Sequence, residues 1–567
     1  MLTGKKISGG IAISKACVIK EEKIRFDKFS RLTNHDEIIR LRNAIAKFEK
    51  NIADTIKQIK SGEADILETH ILIAQEISTE IENEIENNND NITAEYAANK
   101  IFNSYIDHFK KLNDDVISQR VHDFVDIKTC LLKILRNIQS QKINDIDDEC
   151  IIIKKEFIPS ELFSLDKNKI KGLISETQNP SSHAAIIAKS LEIPSLFNVD
   201  SATSKINNGD KIILDADNEK IFVNPTSDII AQAQKNLLAI ENEKKFLAEY
   251  KNKSAYTKDG KRINILANIN YLSEIDLAIE KGIDGIGLFR SEFLFMERNN
   301  LPSEQKQFEI YKTAAQKMNG KPVTIRTLDI GADKKIPYLN LEHEDNSFLG
   351  YRAIRFCLDN KNIFHAQIKA ILRASAYGKI KLMVPMISTF EELIETKKII
   401  YDIKTELDNE NVNYDKNMQV GIMIETPSAV LMADDLAKEC DFFSIGTNDL
   451  IQYTMTTARD NTNVAHLYSP YQPAVIKNIM TTIDAAKKNN IEISICGEAA
   501  SNPLLIPLFI CAGLKNLSMP HSSILATKQL IAKINCDESK HICDDILKLK
   551  LKSQIKNYLT DFNNSLE

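Results

Sequence analysis

Residues 442–450 read FFSIGTNDL, an apolar run that ends in small and polar residues. The first four residues are too few for a typical helix and are bounded by a glycine, which predicts a short buried strand. Asn448 and Asp449 then follow the carboxyl end of that strand. Parallel α/β folds place their chemistry at this end of their strands, so the stretch predicts both a fold class and a site.

Seven further short apolar runs lie on either side of this one, with stretches of helical character between them. Eight strands that alternate with helices over about 300 residues predict a (β/α)₈ TIM barrel. The eight predicted strands are 263–267, 285–289, 323–325, 382–386, 420–424, 442–445, 491–495 and 516–518.

Polar or reactive side chains follow most of the predicted strands. Two arginines suit bidentate binding of phosphate or carboxylate, and two carboxylates on neighbouring strands suit a Mg²⁺ ion that bridges to a phosphorylated substrate. One such residue alone is more often a structural or solvated charge, and a lone cysteine is more often a small buried residue. Together they predict a site for a small phosphorylated acid. The residues are Asn268, Arg290, Arg326, Glu425, Asn448, Asp449, Cys496 and Glu498, whereas the fourth strand is followed by an uninformative Ile387.

The first half of the chain has a different pattern. From His35 to about Gln139, apolar residues recur in steps of three and four, which predicts several amphipathic helices packed as a bundle. The asparagine-rich stretch 87–91 predicts a break between two of them. Strand-like runs lie before and after the bundle, so the simplest interpretation is one α/β domain that the bundle interrupts. A stretch from Ser227 to about Asn252 lacks Gly and Pro and predicts a long helix leading to the barrel.

A histidine stands out in this α/β domain. Ser181 and Ser182 precede His183 and an apolar segment, which predicts an N-capped helix with His183 in its first turn. A phosphoryl group on the imidazole would meet free backbone N–H groups and the positive end of the helix dipole. The alternative is a histidine that only caps the helix.

Composition narrows the class of protein. The 567 residues allow three or four folding units, and a net charge of −6 offers no global basic field for nucleic acid or an anionic membrane. The longest apolar run, 504–514, is too short to cross a bilayer. Nine scattered cysteines without a C-x-x-C pair fit a reducing cytoplasm better than a disulfide framework.

Six sequence blocks, in order, resemble enzyme I of the bacterial phosphoenolpyruvate-dependent sugar phosphotransferase system. The resemblance covers nearly the whole chain, and six ordered blocks do not arise by chance. The blocks are FRSEFLFM (289–296), RTLDIGADK (326–334), FLGYRAIR (348–355), MIETP (423–427), FFSIGTNDL (442–450) and CGE (496–498).

This resemblance implies a phosphotransferase. Phosphoenolpyruvate would phosphorylate His183 and release pyruvate, and the phosphoryl group would pass to the small histidine phosphocarrier protein HPr as the first step of sugar uptake. Mg²⁺ would be the cofactor, held by Glu425 and Asp449, and Cys496 would protonate the enolpyruvate methylene. The residues that would bind phosphoenolpyruvate are Arg290, Arg326, Asn448, Asp449 and Arg459.

The resemblance also implies a domain organisation and a homodimer formed through the barrel. Residues 1–24 and 144–226 would form a swivelling phosphohistidine domain, and 25–143 an inserted helical bundle that binds HPr. Residues 227–257 would form a linker helix, and 258–567 the phosphoenolpyruvate-binding and dimerisation TIM barrel. The implied location is the cytoplasm.

The chain departs from the family at the phosphorylation site. The family has Gly-Gly-x-Thr-Ser-His where this chain has QNPSSH (178–183), so both glycines are missing and Pro180 stiffens the loop. Lys189 replaces the usual arginine and keeps its charge without the planar fork. Ala458 stands where an acidic residue is common before Arg459.

Two other functions are weighed against this one. A phosphoenolpyruvate synthase or pyruvate phosphate dikinase shares the carrier and barrel domains but adds a large ATP-binding domain, for which this chain has neither the length nor a Walker A motif. A non-catalytic protein that merely sequesters HPr would bind it regardless of phosphoenolpyruvate. The full set of barrel residues argues against this non-catalytic protein.

Overall fold

The computed structural model describes most of the chain. The described residues are 1–19, 24–56, 64–88, 90–111, 115–138, 148–157, 161–162, 165–166, 169–178, 183–191, 193–296, 300–331, 336–339, 341–342, 344–459, 461, 463–539 and 541–566. They form two compact units, Met1–Lys244 and Lys245–Glu567.

The first unit contains a mixed β-sheet. Its strands are β1 (Leu2–Thr3), β2 (Lys5–Ser8), β3 (Ile11–Ile19), β4 (Cys150–Lys154), β5 (Ile170–Ser175), β6 (Ser195–Phe197), β7 (Lys211–Asp215) and β8 (Lys220–Val223). In the order β1-β8-β7-β3-β4-β5-β6-β2, strands β3 to β6 run parallel and the outer pairs are antiparallel. Buried apolar residues cover both faces, as expected for a sheet with a parallel centre.

A helical bundle interrupts this sheet between β3 and β4. The helices described there are α1 (Asn34–Ile56), α2 (Ala64–Glu86), α3 (Ala94–Lys111) and α4 (Asp115–Leu135). Leu41, Ile81, Phe102 and Ile127, one from each helix, are almost completely buried in the shared core. Because β3 and β4 pair directly, the bundle is an insertion into the α/β domain, which confirms the predicted fold class.

In the described part of the chain, three further helices lie between β5 and β9 (Ala255–Tyr256). They are α5 (His183–Ser190), α6 (Ala202–Lys205) and α7 (Ser227–Ala248). Helix α5 begins at His183, and Ala184, Ala185, Ile187 and Ala188 are buried against the sheet. The predicted N-cap residues Ser181 and Ser182 lie outside the described residues.

The second unit is a closed barrel, as predicted. Its parallel strands are β10 (Arg262–Ile269), β11 (Gly285–Arg290), β12 (Val323–Arg326), β13 (Ile380–Val384), β14 (Val420–Ile424), β15 (Phe442–Gly446), β16 (Glu492–Cys496) and β17 (Asn516–Met519). Each strand pairs with the next, and β17 pairs with β10 to close the ring. The short strand β9 (Ala255–Tyr256) adds an antiparallel edge to β10.

Helices surround the barrel and bury its outer face. They are α8 (Leu272–Glu280), α9 (Phe293–Met296), α10 (Glu304–Lys317), α11 (Ile354–Asp359), α12 (Lys361–Ser375), α13 (Phe390–Asn409), α14 (Pro427–Leu431), α15 (Ala433–Leu436), α16 (Thr447–Met455), α17 (Pro473–Lys488), α18 (Ile506–Cys511), α19 (Ile524–Ile531), α20 (His541–Lys548) and α21 (Lys552–Asn564). One large apolar core joins these helices to the strands. Within the described ranges, no helix is long and apolar enough to span a membrane.

The fourth barrel strand differs from its prediction. The apolar run 382–386 predicts a strand that ends at Met386, whereas β13 spans Ile380–Val384. Met386 has a φ of +60°, a left-handed backbone that cannot continue a strand. The apolar pattern indicates which residues are buried, and Met386 and Ile387 are buried although the strand has already ended at Val384.

Candidate active site

A cavity of about 330 Å³ opens at the carboxyl ends of the barrel strands. Its wall combines charged side chains with an apolar floor. The lining residues are Leu288, Arg290, Glu292, Phe293, Met296, Arg326, Asp329, Arg352, Met423, Glu425, Gly446, Thr447, Asn448, Asp449, Arg459, Cys496 and Gly497.

The seven barrel residues to which the family resemblance assigns a role all line this one cavity. They are Arg290, Arg326, Glu425, Asn448, Asp449, Arg459 and Cys496. Two other residues at strand ends do not line it. Asn268 accepts a hydrogen bond of 2.6 Å from the Ser518 hydroxyl, and Glu498 contributes its backbone N–H, which donates to Oδ1 of Asn448 at 3.1 Å.

An alternating network of charges forms one side of the cavity. The Nη2 atom of Arg326 contacts carboxylate oxygens of both Glu292 and Asp329, and the latter distance is 3.0 Å. Asp329 also accepts from Nη2 of Arg352 at 2.8 Å, and Nη1 of Arg352 lies 3.5 Å from Oδ1 of Asp449. Burial alone would lower the pKa of Arg326, but Glu292 and Asp329 outweigh it and raise that pKa. The network therefore holds fixed cationic groups at the cavity wall.

Glu425 is a buried carboxyl group of the cavity whose pKa is strongly perturbed. It is 1% exposed, and one oxygen, Oε1, accepts the backbone N–H of Met386 at 2.8 Å. Burial, followed by the nearby charge of Asp449, raises its pKa to about 8. Two carboxyl groups that face one another in a buried cavity disfavour ionisation unless a cation joins them.

These carboxylates fit a divalent cation. Oxygen ligands suit Mg²⁺, which typically takes one or two carboxylates and completes its shell with water and substrate phosphate. Gly446 leaves room beside Glu425, because a Cβ atom there would stand 2.6 Å from Oε2. Among the described residues, no cluster of three or more His, Cys, Asp or Glu side chains could hold a metal ion.

Cys496 lies at the floor of the cavity, at the end of β16. It packs against Leu288, Met383, Met423 and Phe442 inside the barrel and is 2% exposed. Its Sγ donates to the carbonyl oxygen of Ile445 at 3.3 Å. Burial raises the pKa of this thiol to about 11, so Cys496 keeps its proton at neutral pH.

The loops after β15 and β16 hold Asn448 in place. Gly497 has a φ of +87°, and a Cβ atom there would stand 2.9 Å from Oδ1 of Asn448. The hydroxyl of Tyr468 donates to the Asn448 carbonyl at 3.2 Å, and the hydroxyl of Thr447 donates to the Cys496 carbonyl at 2.8 Å. These contacts leave the Asn448 amide nitrogen free to turn toward a ligand.

Sequence reasoning missed three charged residues of the cavity, namely Glu292, Asp329 and Arg352. Glu292 and Asp329 follow Arg290 and Arg326 by two and three residues, so reading beyond the first polar residue after each strand would have found them. Arg352 lies far from any strand end and precedes Ala353, whose φ of +51° turns the chain into α11. Its only sequence signal is the block 348–355.

The first residue of the QNPSSH block, Gln178, is fixed in a way that sequence reasoning also missed. Gln178 is 7% exposed, and its side-chain amide bonds to the backbone of Phe157 twice, accepting from N at 3.1 Å and donating to O at 2.8 Å. Residues 179–182 lie outside the described part of the chain. Gln178 itself is thus fixed to the Phe157 backbone by two hydrogen bonds, which a glycine at this position could not make with a side chain.

Family models match the chain along most of its length. The PEP-binding domain of PEP-utilising enzymes matches residues 244–536, the mobile domain of these enzymes matches 146–219, and their N-terminal domain matches 3–120. The first of these alone spans more than half of the chain.

Curated relatives named phosphoenolpyruvate-protein phosphotransferase align from end to end. The protein from Geobacillus stearothermophilus is 37% identical over 98% of this chain and 97% of its own length. The one from Haemophilus influenzae is 38% identical over 99% of both chains. The Bacillus subtilis relative is 35% identical over 98% of both.

Proposed function

The chain belongs to the family of PEP-utilising enzymes, among the phosphoenolpyruvate-protein phosphotransferases, and from this premise we propose that it moves the phosphoryl group of phosphoenolpyruvate to His183. Enzyme I of the sugar phosphotransferase system is the role that follows. The observation that carries the proposal is the convergence of Arg290, Arg326, Arg459 and Asn448 on one cavity at the barrel's carboxyl end.

The arginines bind and orient the substrate. Arg326 is held rigidly by Glu292 and Asp329, so its remaining guanidinium N–H groups can meet a phosphate without reorganisation. Arg290, whose Nη1 donates to Asn270 at 3.2 Å, and the exposed Arg459 would take the other anionic oxygens. Phosphoryl transfer depends mainly on positioning and charge neutralisation, and fixed arginines supply both.

The enzymes of this family use a divalent cation, and we propose that it is Mg²⁺ held by Glu425 and Asp449. When bound, the ion would neutralise charge on the phosphate and enolate oxygens. Glu425 offers its oxygen from a buried, fixed carboxylate. Asp449 would bind the same ion, and its Oδ1 atom lies 3.5 Å from Nη1 of Arg352, which restrains the carboxylate.

Cys496 is our proposed proton donor. As the P–O bond breaks and an N–P bond forms on His183, an enolpyruvate remains, and its methylene carbon must gain a proton to give pyruvate. The Cys496 thiol is protonated at neutral pH and lies on the cavity floor, so it can donate that proton. The resulting thiolate regains a proton from water.

The partner is a phosphocarrier protein, and we propose that it is HPr, which would receive the phosphoryl group from His183. In this proposal, residues 1–24 and 144–226 are the swivelling phosphohistidine domain, 25–143 the HPr-binding bundle, 227–257 the linker helix and 258–567 the barrel that forms a homodimer. A cytoplasmic location agrees with nine free thiols.

The deciding experiment is phosphorylation with labelled substrate. We expect the full-length chain with Mg²⁺ and ³²P-labelled phosphoenolpyruvate to gain acid-labile label and release pyruvate. A His183→Ala variant should gain none, and added HPr should remove label from the wild-type chain. No label on the wild type, together with HPr binding that ignores phosphoenolpyruvate, would favour the binding-only protein instead.

Cys496→Ser separates the two halves of the reaction. This variant should slow pyruvate formation much more than phosphoryl exchange between His183 and HPr, because only the first step needs the proton. Equal slowing of both steps would count against Cys496 as the donor.

A further inference from the structure

The end of the fourth barrel strand carries no polar side chain, unlike the strands around it. After β13 ends at Val384 the chain passes through Pro385, Met386 and Ile387, none of which could bind a phosphate or a metal by its side chain. This loop nevertheless meets the candidate site. Its backbone, rather than a side chain, makes the contact.

Met386 adopts a left-handed backbone at this point. Its φ is +60°, a conformation that is uncommon for any residue except glycine, asparagine and aspartate. Its side chain is 3% exposed, so the residue is packed in the core and the conformation belongs to a rigid part of the fold. Unfavourable backbone geometry held by surrounding structure is often found at functional sites.

The left-handed turn aims one N–H group at Glu425. The Met386 N–H donates to Oε1 at 2.8 Å, and both groups are buried. A second bond joins the same two loops, because the Thr426 hydroxyl donates to the Ile387 carbonyl at 3.0 Å. Two hydrogen bonds therefore join the loop after β13 to the loop after β14, one at Glu425 and one at Thr426.

The other carboxylate oxygen is left on the open side. Oε2 of Glu425 lies beside Gly446, which lines the cavity and carries no side chain to cover it. One oxygen of Glu425 is thus used by the protein and the other is available to a ligand.

We propose that Met386 is a positioning residue. Its backbone, held at positive φ, directs its N–H to Oε1 of Glu425 and so fixes the carboxylate with Oε2 facing the divalent cation. This inference rests on the proposed function, since it assigns Glu425 to that cation. Groups that orient a metal ligand typically change metal affinity by about 10- to 100-fold when they are disturbed.

Leucine and isoleucine at position 386 provide a matched test. The two side chains have the same volume and similar apolar character, but isoleucine is branched at Cβ and tolerates positive φ much less well. We expect Met386→Leu to bind Mn²⁺ within about threefold of the wild type and Met386→Ile to bind it about tenfold more weakly.

The readout is binding, without turnover. Electron paramagnetic resonance of free Mn²⁺ in titrations of the unphosphorylated full-length chain gives the affinity, and circular dichroism reports folding. Met386→Gly adopts positive φ freely and removes the side chain, so it should lose thermal stability yet keep Mn²⁺ affinity close to that of the wild type.

Two results would overturn the proposal. One is equal Mn²⁺ affinity in folded Met386→Leu and Met386→Ile, and the other is a loss in Met386→Gly as large as in Met386→Ile, which would assign the effect to packing. Label on His183 is measured separately, so the positioning role can fail while phosphorylation stands. Conversely, if His183 gains no label but Met386→Ile binds Mn²⁺ more weakly than Met386→Leu, the positioning role stands while the proposed phosphorylation fails.

Discussion

Arg326 and Asp329 form an ion pair inside the barrel, with Nη2 and Oδ2 3.0 Å apart and both side chains at most 6% exposed. Asp329 also pairs with Arg352. An Asp329→Asn variant keeps the shape of the side chain but removes the negative charge that pairs with the buried guanidinium groups of both Arg326 and Arg352. We expect the free energy of unfolding to fall by about 3 kcal/mol and the KM for phosphoenolpyruvate to rise by about tenfold.

A matched surface pair provides the control for this variant. Asp276 lies 2.8 Å from Lys317, and the two side chains are 41% and 29% exposed. Asp276→Asn should lower the free energy of unfolding by less than about 1 kcal/mol and leave the KM unchanged. Equal losses in the two variants, measured by urea denaturation, would contradict the role given to Asp329.

The cysteines should differ widely in alkylation rate. A hydrogen bond from Cys150 lowers the pKa of the half-buried Cys17 to about 7, whereas burial raises that of Cys496 to about 11. The thiolate is the reactive form, so at pH 7.5 iodoacetamide should modify Cys17 first and Cys496 among the last. Peptide mass spectrometry across pH 7 to 10 measures both. Rapid modification of Cys496 at neutral pH would show that its thiol is not held protonated.

A buried histidine should make the first unit less stable as pH rises. His70 on α2 is 2% exposed, with Nε2 3.4 Å from Asp123 and Nδ1 3.9 Å from Asp126 on α4. Burial works to lower its pKa, but the two aspartates outweigh this and raise it above 6.5. Burial raises the pKa of Asp126 to about 6.

In both cases the folded chain binds protons more tightly than the unfolded chain. The stabilisation from protonated His70 is complete below pH 6.5 and is lost as pH rises through its folded pKa, while that from Asp126 is lost between about pH 4 and pH 6. Urea denaturation should therefore give a lower free energy of unfolding at pH 8.5 than at pH 6. His70→Gln should flatten this difference, and an unchanged slope in the variant would rule the histidine out as its source.

Gln178→Ala should weaken the attachment of residue 178 to the Phe157 backbone. The variant removes two hydrogen bonds to the Phe157 backbone and leaves that N–H and C=O buried without partners. We expect a loss of about 2 kcal/mol in the free energy of unfolding and slower labelling of His183. Thr177→Ala, which removes only exposed hydrogen bonds to residues 155 and 156, should cost far less. If Gln178→Ala has the stability and the His183 labelling rate of the wild type, the two hydrogen bonds of Gln178 contribute to neither property.

Much of the barrel and its site could be predicted from sequence because burial and strand ends coincide there. Arg290, Glu425 and Cys496 stand at or directly after the last residue of a strand, so the apolar pattern located them. Arg352 could not be found this way, because an irregular loop and the left-handed Ala353 bring it to the cavity. Met386 could not be predicted from sequence either, because it contributes a backbone N–H, which nearly every residue type possesses.

The sheet of the first unit was predicted less completely. Strands β2 and β6 are only four and three residues long and pair with each other at the edge, which is too short for an alternating pattern to register. The longer β3 is mostly apolar, and β4 carries a continuous apolar run up to Lys154, so both are predicted from sequence.

The pairing of β3 with β4 has a consequence for the order of folding. Ser14 and Glu149, which share a hydrogen bond of 2.7 Å beside these strands, are 135 residues apart in sequence. An unstructured loop of that length carries a large closure entropy, and contacts so distant in sequence form slowly. The intervening helices contact mainly their sequence neighbours, so they can condense early and bring the two strand segments together. We therefore expect the bundle to form before the central sheet is complete, so that it acts as an internal folding scaffold.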